Sequence, residues 1–289
     1  MNQPLSRRVR VDSGLELHVL EWGSQRPELE RTVVLVHGFL DLAWGWEELV
    51  RAGLAERFHV VAFDQRGHGD SDRIGPGGYY HFMDYVADLA SLIRELGRSR
   101  VSLVGHSMGG NVVSYYAGAF PERIERLALL EGVGPPEDTT GLPERARHWI
   151  EAWRAARDKP MRTYPDVASA ARRLEKQDPK LGPELALRLA ELGTRELPDG
   201  RRVFKHDPLH LTRGPYPFRS DFARTFWERI ACPVLLVEGS DSPFRFLAGR
   251  EERMAAFRDT DIRVIAGAGH MIQRHAPVEL CQMLCQFLG

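Results

Sequence analysis

Short runs of apolar residues recur in the first and last parts of the chain, without the polar–apolar alternation that marks a half-exposed strand. Continuous hydrophobicity of this kind is typical of parallel strands that helices cover on both faces. The pattern predicts strands at Thr32–Val36, His59–Phe63, Val101–Val104, Ile124–Leu130, Val234–Val237 and Ile262–Ile265.

Helical periodicity separates these strands. Residues Phe82–Leu96 place their apolar side chains on one stripe, and Val278–Leu288 repeats the same period near the C-terminus. An opening pair of alternating segments, Arg8–Val11 and Leu15–Leu20, predicts a hairpin at an antiparallel edge. Strands that alternate with helices indicate an α/β protein with a mostly parallel, doubly wound sheet of about eight strands.

The alternation stops between Gly134 and Glu228. This stretch contains no run that predicts a strand, and prolines divide it into segments with the pattern of amphipathic helices. We therefore expect an α/β core formed by residues 1–134 and 229–289, with a mainly helical cap, 135–228, inserted between the sixth and seventh strands. Insertions of this length are usually functional, and lids of this kind exclude water and shape a pocket.

Composition narrows the possible functions. The chain has 289 residues and a net charge of −1, so it offers no broad electrostatic attraction for nucleic acid or an anionic membrane. No apolar run is long enough to span a bilayer, and residues 1–14 lack the apolar core of a secretion signal. These features predict a soluble cytoplasmic protein, a monomer or a small homo-oligomer.

The cysteines do not suggest a metal. Cys232, Cys281 and Cys285 show no CxxC spacing, and the last two lie one helical turn apart in an apolar pattern. We interpret them as small buried hydrophobes and expect neither a metal nor a cofactor.

The clearest chemical motif is the pentapeptide GHSMG at residues 105–109. It follows the predicted strand Val101–Val104 and precedes the helical segment Asn111–Phe120. A serine nucleophile must lie at a strained turn with its hydroxyl exposed, and the flanking glycines remove side chains that would collide there. We therefore predict that Ser107 is a catalytic nucleophile.

Three blocks resemble the α/β-hydrolase fold family, and they come in the family's order. They are His37-Gly38-Phe39 after the third strand, DQRGHGDS at residues 64–71 after the fourth, and GHSMGG at residues 105–110 after the fifth. The last block resembles the nucleophile turn of lipases, esterases and C–C hydrolases, and the resemblance covers essentially the whole chain outside the cap. A weaker, local resemblance to serine hydrolase-like proteins lies in residues 131–136 and 204–209.

The resemblance implies which groups would serve the nucleophile. In this family, backbone N–H groups equivalent to those of Met108 and Phe39 stabilise the oxyanion that forms during acyl transfer. Candidate contacts for the substrate are His37, Gly38, Trp149 and Trp153.

A serine hydroxyl needs a base, and the chain contains eleven histidines. We expect His270 to be the base, because it follows the last strand in a flexible Gly-Ala-Gly turn and matches the family's histidine position. His275 is the nearest rival, but it falls where the final helix should begin. For the acid, the family position after the seventh strand favours Asp241, although many relatives place the acid one residue later, at Ser242. Glu131, at the end of the sixth strand, is the competing acid.

Together these residues predict hydrolysis of a carboxylic ester through an acyl-serine intermediate, with a small-molecule ester and water as substrates. C–C bond hydrolysis and cofactor-free perhydrolysis on the same triad are alternatives, and so is a catalytically inert binding protein that keeps the fold. Epoxide hydrolysis and dehalogenation are disfavoured, because their covalent step needs an aspartate in place of Ser107.

Overall fold

The computed structural model describes residues 3–26, 28–75, 77–158 and 161–289. Its strands are β1 (Leu5–Arg10), β2 (Glu16–Trp22), β3 (Thr32–Val36), β4 (His59–Phe63), β5 (Val101–His106), β6 (Ile124–Leu130), β7 (Thr163–Tyr164), β8 (Thr194–Glu196), β9 (Arg202–Phe204), β10 (Val234–Gly239) and β11 (Thr260–Ile265). Its helices are α1 (Glu47–Leu49), α2 (Ala55–Arg57), α3 (Phe82–Glu95), α4 (Met108–Ala119), α5 (Leu142–Asp158), α6 (Val167–Gln177), α7 (Pro183–Gly193), α8 (Ser220–Trp227), α9 (Arg250–Met254), α10 (Ile272–His275) and α11 (Pro277–Leu288). Shorter helical turns span Val50–Leu54, Ala43–Trp46, Pro121–Arg123, Pro208–Leu211 and Pro243–Phe246.

Eight of the strands form one sheet, in the order β1-β2-β4-β3-β5-β6-β10-β11. β2 pairs antiparallel with β1 and β4, and the remaining neighbours run parallel. The predicted α/β class, the opening hairpin and the mostly parallel eight-stranded sheet are confirmed. Both β3 and β4 are buried along their whole length, because hydrophobic clusters cover the two faces of the sheet.

The parallel register places the ends of three central strands side by side. Val36 at the end of β3 pairs with Gly105 of β5, and His106 of β5 pairs with Leu130 of β6. The loops that follow these strands therefore leave the sheet at one edge, where open α/β sheets bind their ligands.

The last strand of the sheet differs from its prediction. Ile262 and Val264 of β11 are 49% and 42% exposed, so the expected burial on both faces is wrong. β11 is the final strand in the sheet order and has a neighbour on one side only. An apolar run in the sequence does not distinguish such an edge strand from a central one.

The segment between β6 and β10, called the insertion (residues 135–228), has a small hydrophobic cluster that includes Tyr164, Ala170 and Leu189. Contrary to the expectation of no strands, β7, β9 and β8 form a three-stranded antiparallel sheet within it. These strands have two or three residues each, too few to show a periodic pattern in the sequence.

The end of the insertion packs with the core. The indole of Trp227 on α8 is fully buried and donates a hydrogen bond to Oγ of Ser114 on α4 at 3.0 Å. Helix α8, which the predicted boundary places in the cap, therefore packs against α4 of the core. The division into core and cap stays a prediction. Among the helices of the described ranges, none combines the length and apolar composition needed to cross a membrane.

Candidate active site

Ser107 occupies the sharp turn between β5 and α4. Its backbone has φ 52° and ψ −117°, a region that residues with side chains rarely adopt. Its neighbours must be small, because a Cβ on Gly105 would lie 2.5 Å from the carbonyl oxygen of Gly109. A Cβ on Gly109 would lie 2.2 Å from the carbonyl oxygen of Val36. The helix begins at Met108, so its N–H lies in the first turn, where a helix leaves N–H groups without intrahelical acceptors.

Backbone strain is concentrated around this turn. In the described part of the chain, the residues other than glycine with positive φ are Leu40 at 58°, Ser107 at 52° and Glu131 at 54°. They follow β3, β5 and β6, three neighbouring strands of the sheet. Such conformations persist where surrounding contacts over-determine them, and they cluster at functional sites. The strain therefore marks this edge of the sheet as the candidate site.

The loop after β3 is fixed by the DQRGHGDS block. The N–H of Gln65 donates to Nε2 of His37 at 3.0 Å, so Nδ1 carries the proton and donates to the carbonyl oxygen of Gly38 at 2.7 Å. The N–H of Leu40 donates to Nε2 of His68 at 3.3 Å. Burial, followed by neighbouring histidines, lowers the pKa of His68 well below its usual value, which keeps this nitrogen able to accept. These bonds order the loop that carries the predicted second oxyanion donor.

His270 follows β11 and lines the same cavity as Ser107. Nε2 of His106 donates a hydrogen bond to the carbonyl oxygen of His270 at 2.8 Å, which ties this loop to the serine turn. The ring of Phe244 lies 4.5 Å from the imidazole of His270, measured between centroids. The hydrogen bonds of the described residues do not include one between Ser107 Oγ and the imidazole. In unliganded sites this bond is often long and shortens when substrate binds.

Glu131 supplies the carboxylate beside this histidine. Its Oε2 lies 3.4 Å from Nδ1 of His270, and its side chain is 1% exposed. The N–H of Gly239 donates to Oε1 at 2.7 Å, and the hydroxyl of Ser242 donates to Oε2 at 2.5 Å. A carboxylate can be buried only with such partners, because an unpaired buried charge is costly. The arrangement can hold the imidazole in one tautomer and one orientation.

Asp241, the acid preferred from the sequence, lies at the surface. Its carboxylate is 47% exposed and accepts hydrogen bonds from Nζ of Lys180 at 2.7 Å and Oγ of Ser240 at 2.8 Å. The bond from Lys180, followed by that from Ser240, lowers the pKa of Asp241. The expected placement of Asp241 beside His270 is therefore corrected: after β10 it is Ser242, fully buried, that contacts Glu131.

The insertion contacts the loop that carries His270, through contacts that we call the histidine-loop latch. Nζ of Lys180 donates to the carbonyl oxygen of Gly267 at 2.7 Å, and Nε2 of His275 lies 2.9 Å from both carboxylate oxygens of Asp178. Nδ1 of His275 accepts a backbone N–H of the same loop at 3.0 Å, so Nε2 carries the proton. His275, the rival base, therefore joins the loop to the insertion.

A cavity of about 1280 Å³ brings the candidate residues together. Its lining includes Ser107, His270, the competing acid Glu131, the predicted oxyanion donors Met108 and Phe39, and one predicted substrate contact, Gly38. The preferred acid, Asp241, does not line it. Further lining comes from the loop before α3 and the start of α3, from α4, from the last part of the insertion, and from Phe244 and Met271. The cavity is large enough for a drug-sized ligand.

Three predicted substrate contacts lie outside the cavity wall. His37 is fully buried beneath the loop after β3. Trp149 packs edge-on against Tyr79, a lining residue, with ring centroids 5.2 Å apart, and the ring of Trp153 lies 6.1 Å from that of Trp149. The expected direct contacts of these three side chains are therefore corrected, because none of them lines the cavity.

The eight-stranded, mostly parallel sheet and the strained serine turn after β5 are the features of the α/β-hydrolase type of fold. A sequence profile described as alpha/beta hydrolase fold matches residues 31–275, and the chain belongs to this family. The family supports hydrolase activity but does not specify the bond that is cleaved.

Similar proteins agree with this assignment. The chain is 34% identical to a serine hydrolase-like protein of Danio rerio over 197 residues, which span 66% of this chain and 59% of that protein. It is 27% identical to 2-(acetamidomethylene)succinate hydrolase of Mesorhizobium japonicum over 285 residues, covering 98% of this chain and 95% of that protein. Among solved structures, a hypothetical protein of Pseudomonas aeruginosa matches with a TM-score of 0.85 and 27% identity, covering 99% of this chain and 98% of the other.

Proposed function

We propose that this chain hydrolyses carboxylic esters through an acyl-serine intermediate. Ser107 is the nucleophile, His270 the general base, and Glu131 the acid that orients the base. One observation carries the proposal: the strained serine turn opens into the same cavity as a histidine whose Nδ1 lies 3.4 Å from a buried carboxylate. This is the set of roles that acyl transfer on serine requires.

In the acylation step, Nε2 of His270 takes the hydroxyl proton of Ser107 as Oγ attacks the ester carbonyl carbon. The Oγ–C bond forms, and the carbonyl π electrons move onto the oxygen. The N–H groups of Met108 and Phe39 stabilise this oxyanion, and loss of one such donor typically costs about 10²–10³ in turnover. The tetrahedral intermediate then collapses, and the alcohol leaves with the proton from His270.

Deacylation repeats the sequence with water. His270 takes a proton from a water molecule as its oxygen attacks the acyl carbon, and collapse breaks the bond to Ser107 Oγ, which recovers the proton. In both steps the carboxylate of Glu131 accepts a hydrogen bond from Nδ1–H of His270 and stabilises the imidazolium. The partners Gly239 and Ser242 keep that carboxylate in place.

Active-site labelling tests the proposal directly. Wild-type protein should react covalently with a fluorophosphonate at Ser107, identified by peptide mass mapping, and should hydrolyse p-nitrophenyl esters. Ser107→Ala should abolish both readouts. Ser99→Ala, at an exposed position before β5, is the matched control and should leave both unchanged. A folded wild-type protein that is not labelled would make an inert binding protein the better interpretation.

A second candidate function comes from the near full-length similarity to 2-(acetamidomethylene)succinate hydrolase. The same serine, histidine and acid could serve hydrolysis of that compound or of a related dicarboxylate. Turnover of 2-(acetamidomethylene)succinate at a rate above that of p-nitrophenyl esters would favour this function over the first.

A further inference from the structure

Aromatic rings on α3, α4 and α8, and one in the segment before α8, form one side of the cavity. We call this surface the aromatic wall, and its members are Phe82, Tyr115, Phe218 and Phe222. Tyr115 meets Phe82 edge-on with centroids 5.0 Å apart, and it lies 6.2 Å from Phe222. Burial raises the pKa of Tyr115 to about 12, so its hydroxyl stays neutral. The wall therefore presents uncharged rings to a substrate, and those of Phe82 and Phe222 pack around Tyr115.

The wall is supported from outside the cavity. A guanidinium, that of Arg253, lies 5.0 Å from the ring centroid of Phe218 and donates to the carbonyl oxygen of Pro135 at 2.8 Å. Gly134 makes room for the same ring, since a Cβ there would lie 2.4 Å from it. The ring of Tyr115 also stacks on that of Phe226, with centroids 4.6 Å apart. Rings held in this way lose little freedom when an apolar group packs against them.

The charged groups of the cavity favour a neutral substrate. Its described lining includes the carboxylates Asp41, Glu131 and Asp221, and its cationic side chain is Arg219. Arg219 is bonded to Asp221, with Nε 3.0 Å from Oδ1, and both side chains are largely exposed. Asp41 is likewise paired, with the guanidinium of Arg274, and Glu131 lies beside His270. The charged side chains of the described lining are therefore already paired, and its guanidinium is not available to bind a carboxylate.

A carboxylate on the substrate would be unfavourable in such a cavity. The imidazole of His106 gives no compensating charge, because burial lowers its pKa well below the usual value. Burying an ionised carboxylate without a partner is strongly unfavourable, whereas burying methylene groups is favourable. The charges and the apolar packing surface of the cavity therefore both favour a neutral, apolar substrate.

We propose that the substrates of this site are neutral esters with a bulky apolar group packed on the aromatic wall, and that esters carrying a carboxylate on that group are rejected. The inference rests on the proposed ester hydrolysis and specifies its substrate class. It also separates this chain from its relative of Mesorhizobium japonicum, whose named substrate is a succinate and therefore a dicarboxylate.

A matched pair of substrates tests the inference on the full chain. p-Nitrophenyl hexanoate and mono-p-nitrophenyl glutarate have chains of similar length, and the second carries a carboxylate in place of a terminal ethyl group. We expect kcat/KM to rise by up to about fourfold per methylene from acetate to hexanoate. The glutarate ester should be at least about 100-fold poorer than the hexanoate ester. Equal rates on the pair, or a faster rate on the glutarate ester, would overturn the inference.

A variant that is expected to gain activity on the glutarate ester gives a second test, because misfolding cannot produce a gain in rate. Phe222 is half-exposed, so Phe222→Arg can be accommodated and adds a cation to the wall. This variant should raise kcat/KM for the glutarate ester by about tenfold and lower it for the hexanoate ester. The control Phe222→Leu should keep the wild-type preference, and equal effects of the two substitutions would contradict the inference. Fluorophosphonate labelling of Ser107 without any preference within the substrate pair would overturn the substrate class alone, whereas absence of labelling would overturn the proposed hydrolysis as well.

Discussion

Two loops at the same edge of the sheet, one after β6 and one after β10, each carry a carboxylate, and the surroundings of the two are opposite. Glu131 is buried, has positive φ, and lies beside the imidazole of His270 with two further donors. Asp241 is half-exposed and pairs with Lys180. The comparison shows that the direction in which each loop turns decides which of the two carboxylates lies beside the imidazole, since both residues are acidic.

The loop after β10 completes the site by giving a donor instead of an acid. Ser242 occupies the position where many relatives of this chain would have their acid, and its hydroxyl donates to Glu131 at 2.5 Å. Asp241, one residue earlier, joins the latch through Lys180, which also holds the carbonyl oxygen of Gly267. One loop therefore supplies the carboxylate and the other supplies its support and a tie to the insertion.

Among changes to the two loops, the largest expected effect is that of Glu131→Gln. The amide has nearly the shape of the carboxylate but cannot stabilise an imidazolium by charge, so kcat should fall by about 10³–10⁴ while KM changes little. Steady-state kinetics with p-nitrophenyl hexanoate would measure this, and circular dichroism would verify the fold. A loss below tenfold would remove Glu131 from the catalytic machinery.

The comparison becomes sharper if the acid can be moved between the loops. Adding Ser242→Asp to Glu131→Gln puts a carboxylate at the inward position after β10, where its oxygens can approach the imidazole of His270. We expect kcat to recover by about tenfold from the single variant, because part of the imidazolium stabilisation returns. Adding Asp241→Glu instead is the control, and it should give no recovery. Recovery in the control would mean that the surface acid can reach the histidine.

Ser242→Ala should have an intermediate effect. Removing the hydroxyl takes one donor from a buried carboxylate, and hydrogen bonds to charged groups contribute about 1.5–3 kcal/mol. Since Gly239 and His270 remain as partners, we expect a loss of about tenfold in kcat per active site. Ser242→Thr keeps the hydroxyl and should restore the wild-type kcat. A structural defect alone would lower the amount of active enzyme, titrated with fluorophosphonate, and leave kcat per titrated site unchanged.

Local sequence information is sufficient for the parts of this site that local chemistry determines. Ser107 could be identified because a strained turn between strand and helix requires glycines at fixed positions, and that requirement is visible in residues 105–109. The central strands were equally clear, since burial on both faces produces continuous apolar runs. The prediction of His270 as the base rests on its turn after the last strand and on the order of serine, acid and histidine in the family.

The carboxylate beside His270 could not be chosen from the sequence. Whether Asp241 or Ser242 turns inward depends on the backbone path after β10, and the inward direction of Glu131 depends on a φ of 54° that few residues adopt. Which aromatic rings line the cavity could not be predicted either, for a related reason. An amphipathic pattern shows that Trp149 has an apolar face to bury, but it does not show whether that face meets a cavity or the back of Tyr79.

Weakening the histidine-loop latch should have a smaller effect on turnover than removing the hydroxyl of Ser242, which donates to Glu131. Asp178→Asn removes the charge that His275 faces, and with it part of the restraint on the loop of His270. We expect kcat to fall by about threefold to fivefold, because a slightly misplaced base makes fewer productive encounters. Glu184→Gln removes an exposed carboxylate of the same insertion and should leave kcat unchanged. An equal loss in both variants would assign the effect to charge in the insertion instead of the latch.

The smallest effect should be that of Asp241→Asn. The amide oxygen can still accept from Lys180, and that lysine keeps its bond to Gly267, so the loop retains most of its restraint. Exposed ion pairs contribute about 0–1 kcal/mol, and this one holds no group that touches the substrate. We expect kcat and KM within about twofold of wild type, measured with the ester used for Glu131→Gln. A loss approaching that of Glu131→Gln would assign the role of the acid to Asp241, because only a direct interaction of its carboxylate with the imidazolium of His270 would account for such a loss.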